Sequence, residues 1–195
     1  MKIPVVLLAV ALCSMSAVAD DIEEPAWHLL DQFDSVEVRY YEPSIQARTT
    51  LADSGETSAG FRRLAGFIFG DNSASQKIAM TAPVQETLVE GSPIMAFTMP
   101  GQYSLSDLPE PEDARVSIEE VPGKTVAVIR FSGWASGSRV SGKTEELLAS
   151  LDARGIEVIG DPSLNQYNPP WTLPFLRRNE IMVEIVEPTL SSAVL

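Results

Sequence analysis

The sequence predicts a single α+β domain in which one antiparallel sheet carries two helices. Segments that alternate apolar and polar residues, as half-buried strands do, are interrupted twice by an apolar stripe of helical spacing. The same order of strands, helix and strands occurs on both sides of a proline-rich stretch at 100–111. Short turns between most strands favour antiparallel pairing, and hence the α+β class. The two halves share this order with negligible sequence identity.

The first half is predicted to contain three strands, a helix and two more strands. Regular alternation over 36–40 is typical of a half-buried strand. The period then becomes helical, until the sequence Gly-Asp-Asn at 70–72 ends the helix. The residues of this helical stripe are Phe61, Leu64, Ala65, Ile68 and Phe69. The strands are predicted at 27–30, 36–41, 45–51, 77–88 and 94–99.

The second half is predicted to repeat this order. Two strand-like segments, 115–120 and 125–131, flank a turn at Pro122-Gly123. A second helical stripe follows and ends near Gly155. Its residues are Val140, Thr144, Leu147, Leu148 and Leu151. Strands at 156–159 and 181–186 complete the predicted domain.

The first nineteen residues are predicted to be a cleaved signal peptide. Lys2 precedes an almost unbroken apolar run, and Ala17 and Ala19 are the small residues that a signal peptidase requires. The apolar run is too short to remain as a membrane-spanning helix. We therefore expect an exported protein, in a bacterial periplasm, whose single domain is 20–195 with loose ends at 20–25 and 188–195.

Composition excludes several classes of function. The single cysteine, Cys13, would leave with the signal peptide, which excludes thiol nucleophiles, disulfides and thiolate metal sites. A formal charge of −13 opposes binding to nucleic acid, so we expect no nucleic-acid partner. The single histidine, His28, leaves little room for a histidine-rich metal site or a serine–histidine triad. In its neutral form His28 could still ligate iron, although an ordinary surface histidine is the simpler interpretation.

The segment NPPWTLPFLRRNE at 168–180 is the first candidate site. Its prolines stiffen the chain, so that Trp171 and Phe175 can be presented at low entropic cost. Arg177 and Arg178 could each bind a carboxylate with two hydrogen bonds. The alternative is a loop that only covers the end of the sheet. The functional interpretation is a rim suited to a flat apolar ligand that has acid groups at one edge.

The first helix and the segment after it supply the other candidates. The helix has more apolar surface than one buried face needs, and Arg62 and Arg63 stand beside the stripe. Met80, in the segment KIAMTAPV at 77–84, could place a soft sulfur against a macrocycle or its iron. Core packing is the competing interpretation for each apolar residue.

Taken together, these motifs resemble the SOUL haem-binding family. The similar pieces are VEVRYYEP at 36–43, FRRLAGFIFGDN at 61–72, KIAMTAPV at 77–84, MAFTMP at 95–100 and YNPPWTLPFLRRNE at 167–180. They occur in order over nearly the whole chain after residue 19. The resemblance implies a distorted antiparallel barrel built from two β-α-β-β-type halves with two main helices.

The resemblance also implies that haem or another tetrapyrrole binds non-covalently in an apolar groove. The groove would lie between the first helix and the loop before the last strand. The residues implied are Phe61, Leu64, Ala65 and Ile68 on the helix, with Trp171, Phe175, Arg177 and Arg178 on the facing loop. Arg62 and Arg63 match the basic helix positions of the family only loosely, and Met80 joins the candidates from its own segment. Family members with an axial histidine carry it where this chain has none, so binding by apolar contact without a strict axial ligand is expected.

Two alternatives remain open at the level of sequence. The fold could serve as an exported interaction module that binds another apolar ligand or a protein partner, whose identity the sequence does not indicate. An enzyme would need a carboxylate pair, such as Glu37 with Glu42 or Glu86 with Glu90, brought together in a cleft. Such pairs are usually plain strand surface, so we expect a protein without catalytic activity.

Overall fold

The structure is a computed structural model that describes residues 22–187. The predicted signal peptide, the residues 20 and 21, and the predicted loose end at 188–195 lie outside the described residues. The strands are Trp27–Phe33 (β1), Val36–Tyr41 (β2), Ser44–Thr50 (β3), Val84–Thr87 (β4), Ile94–Thr98 (β5), Val116–Val121 (β6), Lys124–Phe131 (β7), Ser163–Gln166 (β8) and Asn179–Glu184 (β9). The α-helices are Thr57–Phe69 (α1) and Gly137–Asp152 (α2).

All nine of these strands join one antiparallel sheet in the order β1-β2-β7-β9-β8-β4-β5-β3-β6. The sheet curls into an incomplete barrel, so the α+β class and the distorted barrel are confirmed. Two units, β3-α1-β4-β5 and β7-α2-β8-β9, have the same topology, and pairing of β4 with β8 joins them. In the described part of the chain no helix is long and apolar enough to cross a membrane.

Two pairs of consecutive strands, β2 with β3 and β6 with β7, do not form the hairpins that short turns suggest. β2 pairs with β7, and β3 pairs with β6, so that Tyr41 lies opposite Lys124 while Ser44 lies opposite Val121. Each topological unit therefore takes its fourth strand from the other half of the chain. This exchange links the two halves at a second place, besides the β4–β8 pair.

Both helices pack on the same face of the sheet, and each covers its own apolar cluster. α1 lies over β3, β5 and β6, whereas α2 lies over β7 and β9. Phe67 and Leu64 of α1 are buried in the first cluster, and Leu147 and Leu151 of α2 are buried in the second. Because β4 and β8 lie between these two groups of strands, a strip of the same face remains between the helices.

The opposite face of the sheet carries a buried polar network. The guanidinium of Arg39 donates to both carboxylate oxygens of Glu180, at 3.0 and 3.3 Å. Tyr167 donates to the same carboxylate at 2.8 Å, and Arg178 donates to it at 2.9 Å. Burial by itself raises the pKa of Glu180, but the hydrogen bond and charge of Arg39, with the charge of Arg178, outweigh it and lower that pKa. Glu180 is therefore an ionised group with no exposed surface.

Three parts of the strand prediction are wrong. β4 begins only at Val84, because the backbone before it bonds elsewhere: Ile78 donates to Ile68 O at 2.8 Å and Ala82 to Glu23 O at 2.9 Å. The segment 156–159 forms a single bridge, from Val158 to Ile185. β8 was not predicted, because its sequence SLNQ lacks an apolar alternation. Its buried Ser163 and Asn165 are held by side-chain hydrogen bonds instead.

Candidate functional site

Three segments of the chain meet at one end of the sheet. Phe131, Asn179, Gln166, Val84 and Phe97 form a continuous row of opposed residues across β7, β9, β8, β4 and β5. The loop 132–136 leaves from β7 at this row, and the loop 167–178 connects β8 to β9 there. The segment 77–83 enters β4 at the same row and is bonded to the C-terminal end of α1. The first helix and the loop before the last strand therefore share one end of the domain.

Arg177 holds the loop 167–178 in shape. Its Nε donates to Thr172 O at 3.0 Å and its Nη2 donates to Pro170 O. The guanidinium also lies over the ring of Trp134, 3.9 Å from the centroid. The backbone of the neighbouring loop joins in, because Gly133 N donates to Pro174 O at 2.8 Å. Arg177 is only 8% exposed, so it is turned inward and does not support the expected contact with a ligand carboxylate.

The large aromatic residues of the loop 167–178 are strongly exposed. Trp171 is 84% exposed and Phe175 is 71% exposed, which is unusual for large aromatic side chains. The prolines at 169, 170 and 174 and a short 3-10 helix, Pro174–Leu176, stiffen the loop around them. Both residues are thus available for a ligand, as the sequence predicts, and both sit on rigid backbone.

The α1 residues expected in the groove divide into two groups. Leu64, Ala65 and Ile68 are buried, and Leu64 and Ile68 face the core under the helix. Phe61 is 37% exposed and its ring meets that of Phe97 edge-on at 5.4 Å. Phe61 is therefore at the row of residues where the three segments meet. Leu64 and Ile68 would support the groove from below and would not touch a ligand.

Met80 lies in the segment that runs from α1 to β4. Its side chain is 36% exposed, and its neighbour Ile78 is bonded to the end of α1. The β4–β8 pairing ends at Val84 and Gln166, so it does not place Met80 beside the aromatic loop. Met80 is an exposed residue of the segment that joins α1 to β4, where a ligand at this end of the sheet could reach it.

The other predicted cations also differ in their availability. Arg63 is on the flank of α1 that faces β3, where it pairs with Glu56 and donates to Thr50 O at 3.1 Å. Arg178 forms ion pairs with Glu24 and Glu180, both at 2.9 Å. These contacts do not support a direct role for Arg63 or Arg178 at the ligand. Arg62 is exposed, but it lies with Glu56, Asp113 and Arg115 on a different flank of α1 from the Phe61–Phe97 contact.

His28 is far from this end of the domain. It lies opposite Tyr40, which in turn lies opposite Thr125 at the start of β7, whereas the loops begin after Phe131. Thr125 and Phe131 are six residue steps apart along β7, which corresponds to a distance of about 20 Å. The imidazole stacks on Tyr40 and lies 3.6 Å from Glu42. The structure does not bring His28 to the groove, and within residues 22–187 no group of three or more His, Cys, Asp or Glu side chains could hold a metal ion.

The sequence did not indicate Trp134 as a site residue and indicated Glu86 only as one half of a possible catalytic pair with Glu90. Trp134 is 58% exposed and joins the aromatic loop through Arg177, but it stands in a short Gly/Ser segment without any periodic pattern. Glu86 lies on the helix-covered face of β4, opposite Met95 and Leu164. Burial raises the pKa of Glu86, and a hydrogen bond from Thr57 at 3.4 Å only partly opposes this.

Glu86→Gln is expected to stabilise the protein at neutral pH. Because the pKa of Glu86 is raised in the folded state, the fold loses stability as the pH rises from the ordinary glutamate range through the folded pKa. The gain should be at most about 1 kcal/mol, since water still screens a half-buried carboxylate. Urea unfolding at pH 7 measures it. The difference should vanish below about pH 4, and the exposed control Glu90→Gln should show no gain at either pH.

Comparison with solved structures supports the fold. The EcmrR C-terminal domain superposes with a TM-score of 0.59 at 9% identity, over 77% of this chain and 96% of that domain. A hydrolase from Listeria innocua superposes with a TM-score of 0.58 at 7% identity, over 78% and 92% of the two chains. At such low identity the likeness concerns the fold alone.

Comparison of sequences identifies the family. Heme-binding protein 2 of Mus musculus is 31% identical over 144 residues, which cover 67% of this chain and 68% of the relative. Heme-binding protein 2 of Homo sapiens is 32% identical over 149 residues, which cover 69% and 70%. Residues 22–184 match the family model described as SOUL heme-binding protein. The chain therefore belongs to the SOUL haem-binding protein family.

Proposed function

We propose that this protein binds haem or another tetrapyrrole non-covalently, in the groove between α1 and the loop before β9, and that it has no catalytic activity. The observation that carries the proposal is the rigid, exposed aromatic surface of Trp171 and Phe175, 84% and 71% exposed. Two faces of a flat macrocycle could be covered, one by these rings and one by Phe61 and Met80. The family membership, with relatives named as haem-binding proteins, supports the same ligand class.

The residues present fit a macrocycle held mainly by apolar contact. Burial of apolar surface contributes about 25 cal/mol per Å², so contact with several large side chains is sufficient for micromolar affinity. Lys77, an exposed cation of the segment 77–83, would meet a propionate of haem. Met80, in the same segment, would offer a soft sulfur to the macrocycle. Haem itself would supply the redox-active metal.

Haemin titration tests this proposal. We expect saturable one-to-one binding, followed by the Soret band and by tryptophan fluorescence, and at least about tenfold weaker affinity in Trp171→Ala/Phe175→Ala. Leu29→Ala/Ile159→Ala is a matched control, because both residues are about half exposed and lie elsewhere. His28→Ala should leave the spectrum unchanged.

Three outcomes of the titration would contradict the proposal in different ways. Equal affinity in Trp171→Ala/Phe175→Ala and in the control would place the ligand outside this groove. Absence of saturable binding in the unaltered, folded protein would favour the alternative, an interaction module of the same fold for another apolar ligand or a protein. A changed Soret spectrum in His28→Ala would make His28 an iron ligand.

We also propose that the protein is exported to the periplasm after cleavage behind Ala19. The proposal rests on the sequence of residues 1–19 alone, with its basic start, apolar run and small residues before the cleavage point. Expression of the full chain in a Gram-negative host should give a periplasmic product whose intact mass corresponds to a start at Asp20. A product that stays in the cytoplasm with its first nineteen residues would contradict the export proposal.

A further inference from the structure

The two loops at the ligand end form an exposed apolar projection, here called the apolar tip. It consists of Trp134, Trp171, Leu173, Phe175 and Leu176, which are 58%, 84%, 56%, 71% and 61% exposed. A tetrapyrrole groove facing α1 does not account for all of them, because Leu173 and Leu176 extend the exposed apolar surface along the same loop. Contiguous exposure of this kind marks a docking surface in a protein otherwise covered by charge.

The charge around the apolar tip differs from that of the rest of the protein. The chain has 27 acidic residues, yet none occurs in 121–144 or in 162–179, the two stretches that contain the tip. Four arginines, Arg130, Arg139, Arg177 and Arg178, lie in these stretches. Within residues 22–187 only Arg178 of these four forms an ion pair with a carboxylate. The tip therefore has a positive rim on a strongly acidic protein.

The exposed cations of this rim are Arg130 and Arg139. Arg130 is exposed at the end of β7, opposite Glu180 of β9. Arg139 is exposed in the first turn of α2 and donates to Ser132 O at 3.1 Å, which keeps it beside the loop that carries Trp134. Arg139 is thus held beside the apolar tip, and Arg130 is exposed on the strand that leads into it. Within residues 22–187 neither forms an ion pair with a carboxylate.

We propose that the apolar tip docks on a phospholipid membrane that contains anionic lipid. Leu173, Leu176 and Trp134, which are not proposed haem contacts, would enter the interfacial layer, while Arg130 and Arg139 would meet the headgroup phosphates. Tryptophan and leucine next to arginine suit this layer, which is apolar on one side and wet and charged on the other. The rest of the acidic surface is repelled by anionic lipid, so this end alone can approach.

A phospholipid surface fits these observations better than a second copy of the chain. In a symmetric dimer through this tip, both copies would use the same patch, and their arginine rims would face each other. Like charges brought together in this way oppose association. The prolines and the contacts of Arg177 also fix the loop 167–178 in one conformation. Little conformational entropy is therefore lost when the tip enters the membrane.

Sedimentation with vesicles tests the proposal. The purified exported protein, starting at Asp20, is expected to bind vesicles of phosphatidylcholine mixed with phosphatidylglycerol, and at least about tenfold less when Leu173→Ser and Leu176→Ser are combined. Arg130→Gln/Arg139→Gln should weaken binding several-fold and remove the preference over pure phosphatidylcholine. Ile159→Ser, at a 54% exposed position elsewhere, is the matched control and should bind normally.

Three results would overturn the membrane proposal. These are no vesicle binding by the unaltered protein, equal binding by the leucine variant and the control, and a concentration-dependent dimer that the leucine variant abolishes. The haemin titration of the leucine variant separates this proposal from the proposed function, because Leu173 and Leu176 are not proposed haem contacts. Haemin affinity should stay unchanged in that variant whether or not vesicles bind.

Discussion

Glu180→Ala is expected to lower the free energy of unfolding by about 3–5 kcal/mol, because it removes one partner of a buried ion pair. Glu180 has no exposed surface and Arg39 is 3% exposed, so water cannot replace the lost carboxylate. Tyr167 would lose its acceptor at the same time. Arg39 would retain the hydroxyl of Tyr41 and the carboxylate of Glu37, which lies nearer to solvent. Urea or guanidinium unfolding, followed by circular dichroism, measures the change.

The control for this prediction lies four residues further along the same strand. Glu184 faces Lys124 at 3.8 Å and its side chain is 39% exposed, so Glu184→Ala should cost less than about 1 kcal/mol. A cost for Glu180→Ala as small as that of the control would mean that the network contributes little to stability. Combining Arg39→Met with Glu180→Leu should recover part of the loss, since neither buried charge then lacks its partner.

Phe67→Ala should cost a similar amount, about 3–5 kcal/mol, for a different reason. Phe67 is 1% exposed and packs in the cluster under α1 with Leu64 and Met95. Removing its ring takes apolar surface out of the core and leaves a cavity that the sheet below cannot fill. The measurement is equilibrium denaturation with a shared m-value, so that midpoints report stability directly.

Phe69 provides the matched control for this substitution. It belongs to the same helix, two positions further on, but is 58% exposed. Phe69→Ala should therefore change stability by less than about 0.5 kcal/mol. Equal losses at both positions would contradict the packing of α1 described here, and with it the position of Phe61 at the groove.

Several elements could be predicted from local pattern because burial imposes a period on the sequence. Apolar stripes of helical spacing predict α1 and α2, and alternating or continuous apolar runs predict β2 and β7, since one face of each packs on a core. No such pattern predicts β8, because its buried residues Ser163 and Asn165 are polar and form side-chain hydrogen bonds. The segment 77–83 looked like a strand because it is apolar, but its backbone bonds to α1 and to the N-terminal segment.

The candidate site was predictable in its aromatic part and not in its charged part. Trp171 and Phe175 are exposed as expected, because prolines around them keep the loop from folding onto the core. Arg177 was expected to face a ligand and instead binds two carbonyl oxygens and the ring of Trp134. A sequence shows that a cation is present, but its partner depends on which distant segments the fold brings beside it.

By itself the sequence determined the class of the fold, the family, the acidic surface and the identity of the aromatic loop, since each depends on composition or on neighbours along the chain. Only the tertiary structure decided that β2 and β6 exchange between the two halves, that Arg39 and Glu180 meet 141 residues apart, and that His28 is remote from the loop 167–178. These facts depend on pairings between distant segments, which are chosen by the free energy of the whole fold.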